Sequence, residues 1–359
     1  MYDRRIRWNA SRNCFERNGA AFPLIGFNAY WMGIHETFSY PTLEQTHEMF
    51  SLAAKLGATA IRSHTLGCSS GHAKMLRPSI PRSNEALNEC AWAPIDAAFK
   101  TAQETGVYIV ANLTDSYAWY NGSYVHFCPE GVPKNSFWES RDARDAFKRY
   151  IYEYLNHVNP FTGVAIKDCP ELALLELGNE LGNFRPEATS VTTPTFEWLD
   201  EISKYIKSIA PDVLILNGTD ECLGSDRSND FALAAVDAHS VHFYEMDYKR
   251  LDNAIRSARK AGKGVIVGEY SSTFPESWYR ALERRNIHGD MVWSFYPHER
   301  DGTRVPHDDG FTVWDDVQPD VDNSRRLCLF EAHVKRVRDN DCYMGSISPA
   351  SCINGCEIS

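Results

Sequence analysis

The chain has 359 residues, 43% hydrophobic and 24% charged, proportions that allow a large buried core and exclude a disordered or low-complexity polymer. Its net charge of −11, with no long basic run, excludes nucleic acid and an anionic membrane surface as partners and suits a neutral ligand. No stretch approaches the roughly 18–20 apolar residues that cross a bilayer, and residues 1–7 are charged with no apolar segment behind them, so the chain as written carries no export signal.

A native Met1 points to an intracellular protein and a removed leader to a secreted one; the sequence leaves localisation and oligomeric state open. The ten cysteines form an even set, yet a chain of this size needs no disulfide staples. Cys342, Cys352 and Cys356 crowd the tail, where a disulfide and free thiols are equally expected. No CxxC pair occurs, which argues against a structural zinc.

In chain order, the first regular element is an apolar run at residues 23–28. A helix follows, because Thr42 and Gln45 make a capping box behind Pro41, and Leu43, Phe50, Ala53 and Ala54 recur at helical spacing. Gly57 then reads as a helix C-cap feeding a strand at 58–63. The same order of helix, glycine and strand recurs at Gly106 before 107–113 and at Gly262 before 264–270. Apolar runs at 172–179, 213–217, 238–244 and 289–295 complete a set of eight strands alternating with helices.

That alternation predicts a parallel sheet, and eight units predict closure into a (β/α)8 TIM barrel. An open doubly wound sheet would usually carry a GxGxxG or P-loop after its first strand, and the chain has neither. The barrel is assigned to residues 23–338 as a single domain, with a lead-in at 1–22 covering its bottom and a tail at 339–359. The longer insertions, at 65–88, 114–139 and 297–316, follow the second, third and eighth strands at the C-terminal mouth, where barrel enzymes place their sites.

Two segments carry the chemistry. Residues 172–180 read LALLELGNE, an apolar strand that ends by presenting Asn179 and Glu180 at the mouth, and residues 264–270 read GVIVGEY, which presents Glu269 three units later. A lone glutamate at a strand end is more often a solvated rim residue. As a pair facing each other across one mouth, these two suit glycoside hydrolysis, in which one carboxyl protonates the leaving oxygen and the other attacks the anomeric carbon from roughly 5 Å away. Polar residues at other strand ends, Arg62, His242, Tyr244 and Trp293, should converge on the same cavity. Arg62 or Tyr244 beside Glu269 would keep that carboxylate ionised.

This set resembles clan A glycoside hydrolases, and most closely family 5 enzymes of the β-mannanase type, over roughly residues 22–316. In that family an Arg ends strand two, Asn-Glu ends strand four, His-x-Tyr lies on strand six, Glu ends strand seven and Trp ends strand eight. Those positions match Arg62, Asn179-Glu180, His242-Phe243-Tyr244, Glu269 and Trp293. The resemblance implies Glu180 as general acid/base, Glu269 as nucleophile and Asn179 as partner of the sugar 2-hydroxyl. It also implies His242 and Tyr244 as organisers of the carboxylates and Trp293 as the platform under the sugar. The chain departs from the mannanase pattern at Leu174-Leu175, where an aromatic is common, and at Leu181-Gly182, where a proline is usual.

Other mouth aromatics, Trp31 and Trp119 among them, are candidate stacking surfaces for sugar rings. His64, His72, His126, His298 and His307 lie in mouth-side loops, but their spacing fits no metal motif, so they are expected to be solvated or to contact substrate. The chemistry implied needs no metal and no cofactor. The expected activity is retaining hydrolysis of β-1,4-mannosidic bonds in mannan or mannooligosaccharides. An exo-acting β-mannosidase or a β-glucanase on the same scaffold is the alternative, and a non-catalytic carbohydrate-binding barrel a third, although such a protein would be expected to have lost one of the two carboxylates.

Overall fold

The computed structural model describes residues 4–67, 69–77, 87–117, 124–128, 131–133, 136–181, 193–219, 228–316 and 320–339. Its centre is a closed barrel of eight parallel strands: β4 (Leu24–Asn28), β5 (Ala60–Ser63), β6 (Tyr108–Asn112), β7 (Leu172–Glu176), β8 (Ile215–Asn217), β9 (Ala238–Phe243), β10 (Gly264–Ser271) and β11 (Gly289–Trp293). Neighbours pair in sequence order and β11 closes on β4 through Gly289 beside Leu24. Each strand is a predicted one, with ends displaced by a few residues. The largest change is in β7, which stops at Glu176, where the sequence pattern ran on to Asn179.

Helices α1 (Leu43–Leu56), α2 (Glu89–Thr105), α3 (Arg141–Asn156), α4 (Phe196–Ile209), α5 (Tyr248–Ala261), α6 (Glu276–Arg285) and α7 (Val321–Arg338) surround the barrel, with α7 packed between α6 and α1. The capping box at α1 forms as expected: the Gln45 amide donates to Thr42 Oγ1 and the Thr42 amide donates to Gln45 Oε1. Thr42→Ala should therefore cost about 1 kcal/mol in urea unfolding with no change in activity, since only helix-end donors lose their acceptor. Gly57, Gly106 and Gly262 end their helices with φ of 76°, 72° and 68°, a region that costs other residues dearly.

Strand alternation sorts the core into two parts. Leu24, Ala60, Tyr108, Val110, Leu174, Leu216, Ala238, Ile266 and Met291 point inward as one cluster, while their neighbours in sequence pack against the helices. Space at the barrel axis is tight: a Cβ at Gly26 would lie 1.7 Å from the Ala60 carbonyl oxygen. The lead-in is an antiparallel sheet of β1 (Arg7–Asn9), β2 (Cys14–Arg17) and β3 (Ala20–Ala21). It delivers Ile6 and Phe15 into the inward cluster, and Trp8 Nε1 donates to the Gly262 carbonyl at 2.8 Å. The lead-in thereby covers the bottom of the barrel.

No described helix is long and apolar enough to cross a membrane. Cys14, Cys90, Cys128, Cys169 and Cys328 are free thiols. The other five cysteines, including the three whose pairing the sequence left open, lie outside the described residues.

Candidate active site

Above the apolar inward layer the same alternation brings polar groups into the barrel. Asn28 lies four residues on from Leu24, Arg62 two on from Ala60, and His242 four on from Ala238, so all three point inward. Glu269 has the wrong parity for this. A bulge between Val267 and Glu269 re-aims it, pairing Glu269 with His242 across β9. The bulge needs Gly268, because a Cβ there would sit 2.2 Å from Ser240 Oγ and 2.8 Å from His242 Nε2.

Arg62, fully buried, is the hub. Its Nε donates to Glu176 Oε2 at 2.8 Å, Nη1 to Asn28 Oδ1 at 2.9 Å and to Glu269 Oε1 at 2.8 Å, and Nη2 to Asn179 Oδ1 at 2.8 Å. Burial works against its charge, but the Glu176 and Glu269 carboxylates more than offset that and hold it protonated. Glu269 also accepts the Tyr244 hydroxyl at 2.7 Å and lies 3.5 Å from both His242 Nδ1 and His64 Nε2. Burial alone would raise its pKa; His242, His64 and Arg62 outweigh burial and hold it far below the usual carboxylate range.

Glu180 is held differently. After β7 the chain leaves the barrel wall at Gly178 and runs beside the segment that follows β6, with Asp115 bridging to Asn179 and the Ser116 amide donating to the Asn179 carbonyl. This explains the early end of β7. Glu180 then adopts φ of 51°, an uncommon conformation for a residue with a side chain. Its Oε2 accepts the Tyr117 hydroxyl at 2.7 Å, and its Oε1 lies 2.8 Å from His242 Nδ1. One oxygen of Glu180 and one of Glu269 lie within 4.8 Å of each other.

These two glutamates and His242 form the one described group of side chains whose donors converge closely enough to hold a metal ion. Each donor already has a protein hydrogen-bond partner, and an arginine sits on one carboxylate. The arrangement suits proton transfer and nucleophilic attack better than cation binding.

Trp293 Nε1 donates to Asp309 Oδ2 at 2.7 Å, and the Tyr30 ring lies parallel to the indole with centroids 5.2 Å apart. The Trp293–Ser294 peptide is cis. The structure thus brings together Glu180, Glu269, Arg62, Asn179, His242, Tyr244 and Trp293. Trp31 is a correction. It is fully buried, with Nε1 bonded to the Phe295 carbonyl at 3.0 Å and its ring stacked on His35, so it is packing and presents no face to a sugar. Trp119 lies outside the described residues.

Sequence reasoning missed several residues. Glu176 is a charge inside an apolar strand, a signal that was available. His64 shares the parity of Arg62, and contrary to the expectation of a solvated or substrate-contacting loop residue it is buried, 3.3 Å from Asp115 and 2.8 Å from Arg62 Nη1. His298 and His307 are likewise held between carboxylates, Glu48 and Asp316 in one case and Glu36 and Asp309 in the other. Asp115 reaches the site through a loop path that has no local sequence signal, whereas Tyr117, one of the mouth aromatics, enters it through its hydroxyl on Glu180.

A family model described as glycoside hydrolase family 5, β-mannosidase-like, matches residues 8–260, a span that includes Arg62, Asn179, Glu180, His242 and Tyr244 and stops before Glu269. The chain is 29% identical over 222 residues to mannan endo-1,4-beta-mannosidase 2 of Oryza sativa subsp. japonica, covering 59% of this chain and 47% of that protein. It spans about half the length of the first curated plant relatives it matches. Among solved structures, the endo-1,4-beta-mannanase of Rhizomucor miehei superposes with a TM-score of 0.77 at 20% identity, covering 94% of this chain and 100% of that one. The glycoside hydrolase family 5 mannosidase of the same organism gives 0.70 at 16% identity, with 94% and 98% covered. At those identities the superpositions establish a shared TIM-barrel fold. With well over half of its length matched by the family model, the chain belongs to the β-mannosidase-like glycoside hydrolases of family 5.

Proposed function

We propose that this protein hydrolyses β-1,4-mannosidic bonds in mannan or mannooligosaccharides by double displacement with retention, Glu269 acting as nucleophile and Glu180 as general acid/base. The observation that carries this reading is the pair of carboxylates within 4.8 Å, near the roughly 5 Å separation of retaining enzymes, set in unlike surroundings. Glu269 bears a guanidinium and a tyrosine hydroxyl, which keep it ionised and aimed. Glu180 is bonded to Tyr117 and His242, groups that can reorganise as it gains and loses a proton.

In the first step Glu180 gives its proton to the glycosidic oxygen as Glu269 forms a bond to the anomeric carbon. The C–O bond to the leaving sugar breaks. In the second, Glu180 takes a proton from water, whose oxygen displaces Glu269 and restores the β-configuration. Asn179, its amide fixed by Arg62 and by Asp115 Oδ1 at 3.2 Å, stands next to Glu180 where a sugar 2-hydroxyl would pass. Trp293 supplies the apolar face beneath the reacting ring, and no metal or cofactor takes part.

The mannan assignment is supported by the names of the relatives, which include several mannan endo-1,4-beta-mannosidases. A family described as β-mannosidase-like and a neighbouring structure named an exo-beta-1,4-mannosidase favour exo action as the second reading. Digestion of mannohexaose beside cellohexaose separates them. The expected result is cleavage of mannohexaose into mixed short products while cellohexaose stays intact. Mannose as the sole product means exo action, cellohexaose cleavage alone means a glucanase, and no digestion of either overturns the proposal and leaves a binding protein.

A further inference from the structure

The indole of Trp293 is gripped by a closed circuit of side chains drawn from two loops. Its single N–H donates to Asp309 Oδ2 at 2.7 Å. Asp309 Oδ1 is anchored in its own turn by the Phe311 amide at 2.8 Å and the Thr312 hydroxyl at 2.9 Å. His307 Nε2 lies 3.0 Å from Asp309 Oδ2, and its Nδ1 lies 3.4 Å from Glu36 Oε1. Glu36 in turn accepts the hydroxyl of Tyr30, whose ring is stacked on Trp293 at 7°. The circuit runs from indole to Asp309, His307, Glu36 and Tyr30 and back to the indole. It ties the loop after β11 to the loop after β4.

We propose that His307 is a positioning residue, clamping these two loops through Asp309 and Glu36 and thereby fixing the orientation of the Trp293 platform. Only the protonated imidazole carries a charge that pairs with both carboxylates at once. The groups facing it are Glu36 and Tyr30 from the loop after β4, and Asp309 and Tyr296 from the loop after β11. Tyr296 stacks on its ring at 4.3 Å and shares a hydroxyl contact with Tyr30. Burial opposes the charge on His307, but Asp309 and Glu36 outweigh burial and raise its pKa to about 9, while Asp309 is lowered to about 2 by the same pairing. The sign follows: the clamp is intact at neutral pH and is lost as pH rises through about 9.

The test that does not depend on turnover follows the Trp293 indole N–H by NMR in protein labelled with ¹⁵N-tryptophan, its resonance assigned as the one missing from Trp293→Phe. In the wild type this resonance should shift with an apparent pKa near 9. In His307→Gln, which keeps an N–H donor but carries no charge, it should stay flat from pH 6 to 10. Should that variant fail to fold, Asp309→Asn serves instead: with one carboxylate removed, the midpoint should move down toward the ordinary histidine value. A wild-type indole that ignores pH, or one that titrates identically in either variant, overturns the clamp.

The kinetic arm rests on the mannoside reading. The KM for mannohexaose should rise about tenfold above pH 9 in the wild type and be raised by a similar factor at every pH in His307→Gln, with a smaller effect on kcat. A wild type inert toward every mannooligosaccharide would sink the functional reading while the indole titration still decides the clamp. A wild-type KM in His307→Gln at pH 7 would overturn the clamp with the functional reading intact.

Discussion

Glu269→Ala is expected to lower kcat on mannohexaose by about 10⁴-fold or more, since the proposed mechanism makes it the group that forms the covalent intermediate. The loss alone would not separate a nucleophile from a structural carboxylate, given that Glu269 also anchors Arg62 and Tyr244. Azide separates them. It is small enough to enter the space left by the side chain and attack the anomeric carbon from the same face, so turnover should recover and yield a glycosyl azide of inverted, α configuration. Failure of azide to rescue, with the fold intact by circular dichroism, would remove Glu269 from the nucleophile's role.

Glu180→Ala supplies the contrast. A 2,4-dinitrophenyl mannoside needs no proton on its leaving group, so this variant should still release a burst of dinitrophenolate and then stall at the glycosyl-enzyme, whereas mannohexaose should not react. Equal losses on both substrates would mean that Glu180 is not the acid.

The barrel was legible because most strands are apolar runs that end at a polar residue, and Gly57, Gly106 and Gly262 mark helix ends by a backbone conformation few other residues tolerate. The site residues share that grammar: Arg62, Asn179, Glu180, His242, Glu269 and Trp293 stand at or near the ends of different strands, and closing the barrel brings all such ends to one mouth. Trp31 carries the same local signal as Trp293, yet it lies beyond the end of β4 in a 3-10 turn, where strand alternation no longer dictates direction, and it points into the packing. Glu269 reaches the mouth although parity alone would have turned it outward; the bulge at Gly268 that turns it inward depends on fit against Ser240 and His242. The circuit through Glu36, His307 and Asp309 joins loops about 270 residues apart, and no local pattern encodes it.

Replacing Arg62 should be the most damaging single change to the fold itself. Arg62→Met keeps much of the volume but leaves Glu176 and Glu269 buried without their cation, and Asn28 and Asn179 without their donor. Breaking a buried pair from one side costs about 3–5 kcal/mol, and urea unfolding at pH 7 should register a loss of that order. Arg62→Lys should recover little of it, because one ammonium cannot reproduce a planar fork that contacts five side chains.

The pH dependence discriminates between lost charge and lost packing. In the wild type, Glu269 has a folded pKa below its ordinary value of 4.5, so its contribution is present above about pH 4.5 and lost as pH falls through the folded value. Without Arg62, one of the groups that oppose burial is gone while His242 and His64 remain, so the folded pKa of Glu269 rises and protonation on acidification then relieves the variant. The stability gap between wild type and Arg62→Met should therefore shrink between pH 7 and pH 4. A gap that stays constant over that range would assign the loss to packing and leave His242 and His64 as the groups that keep Glu269 ionised.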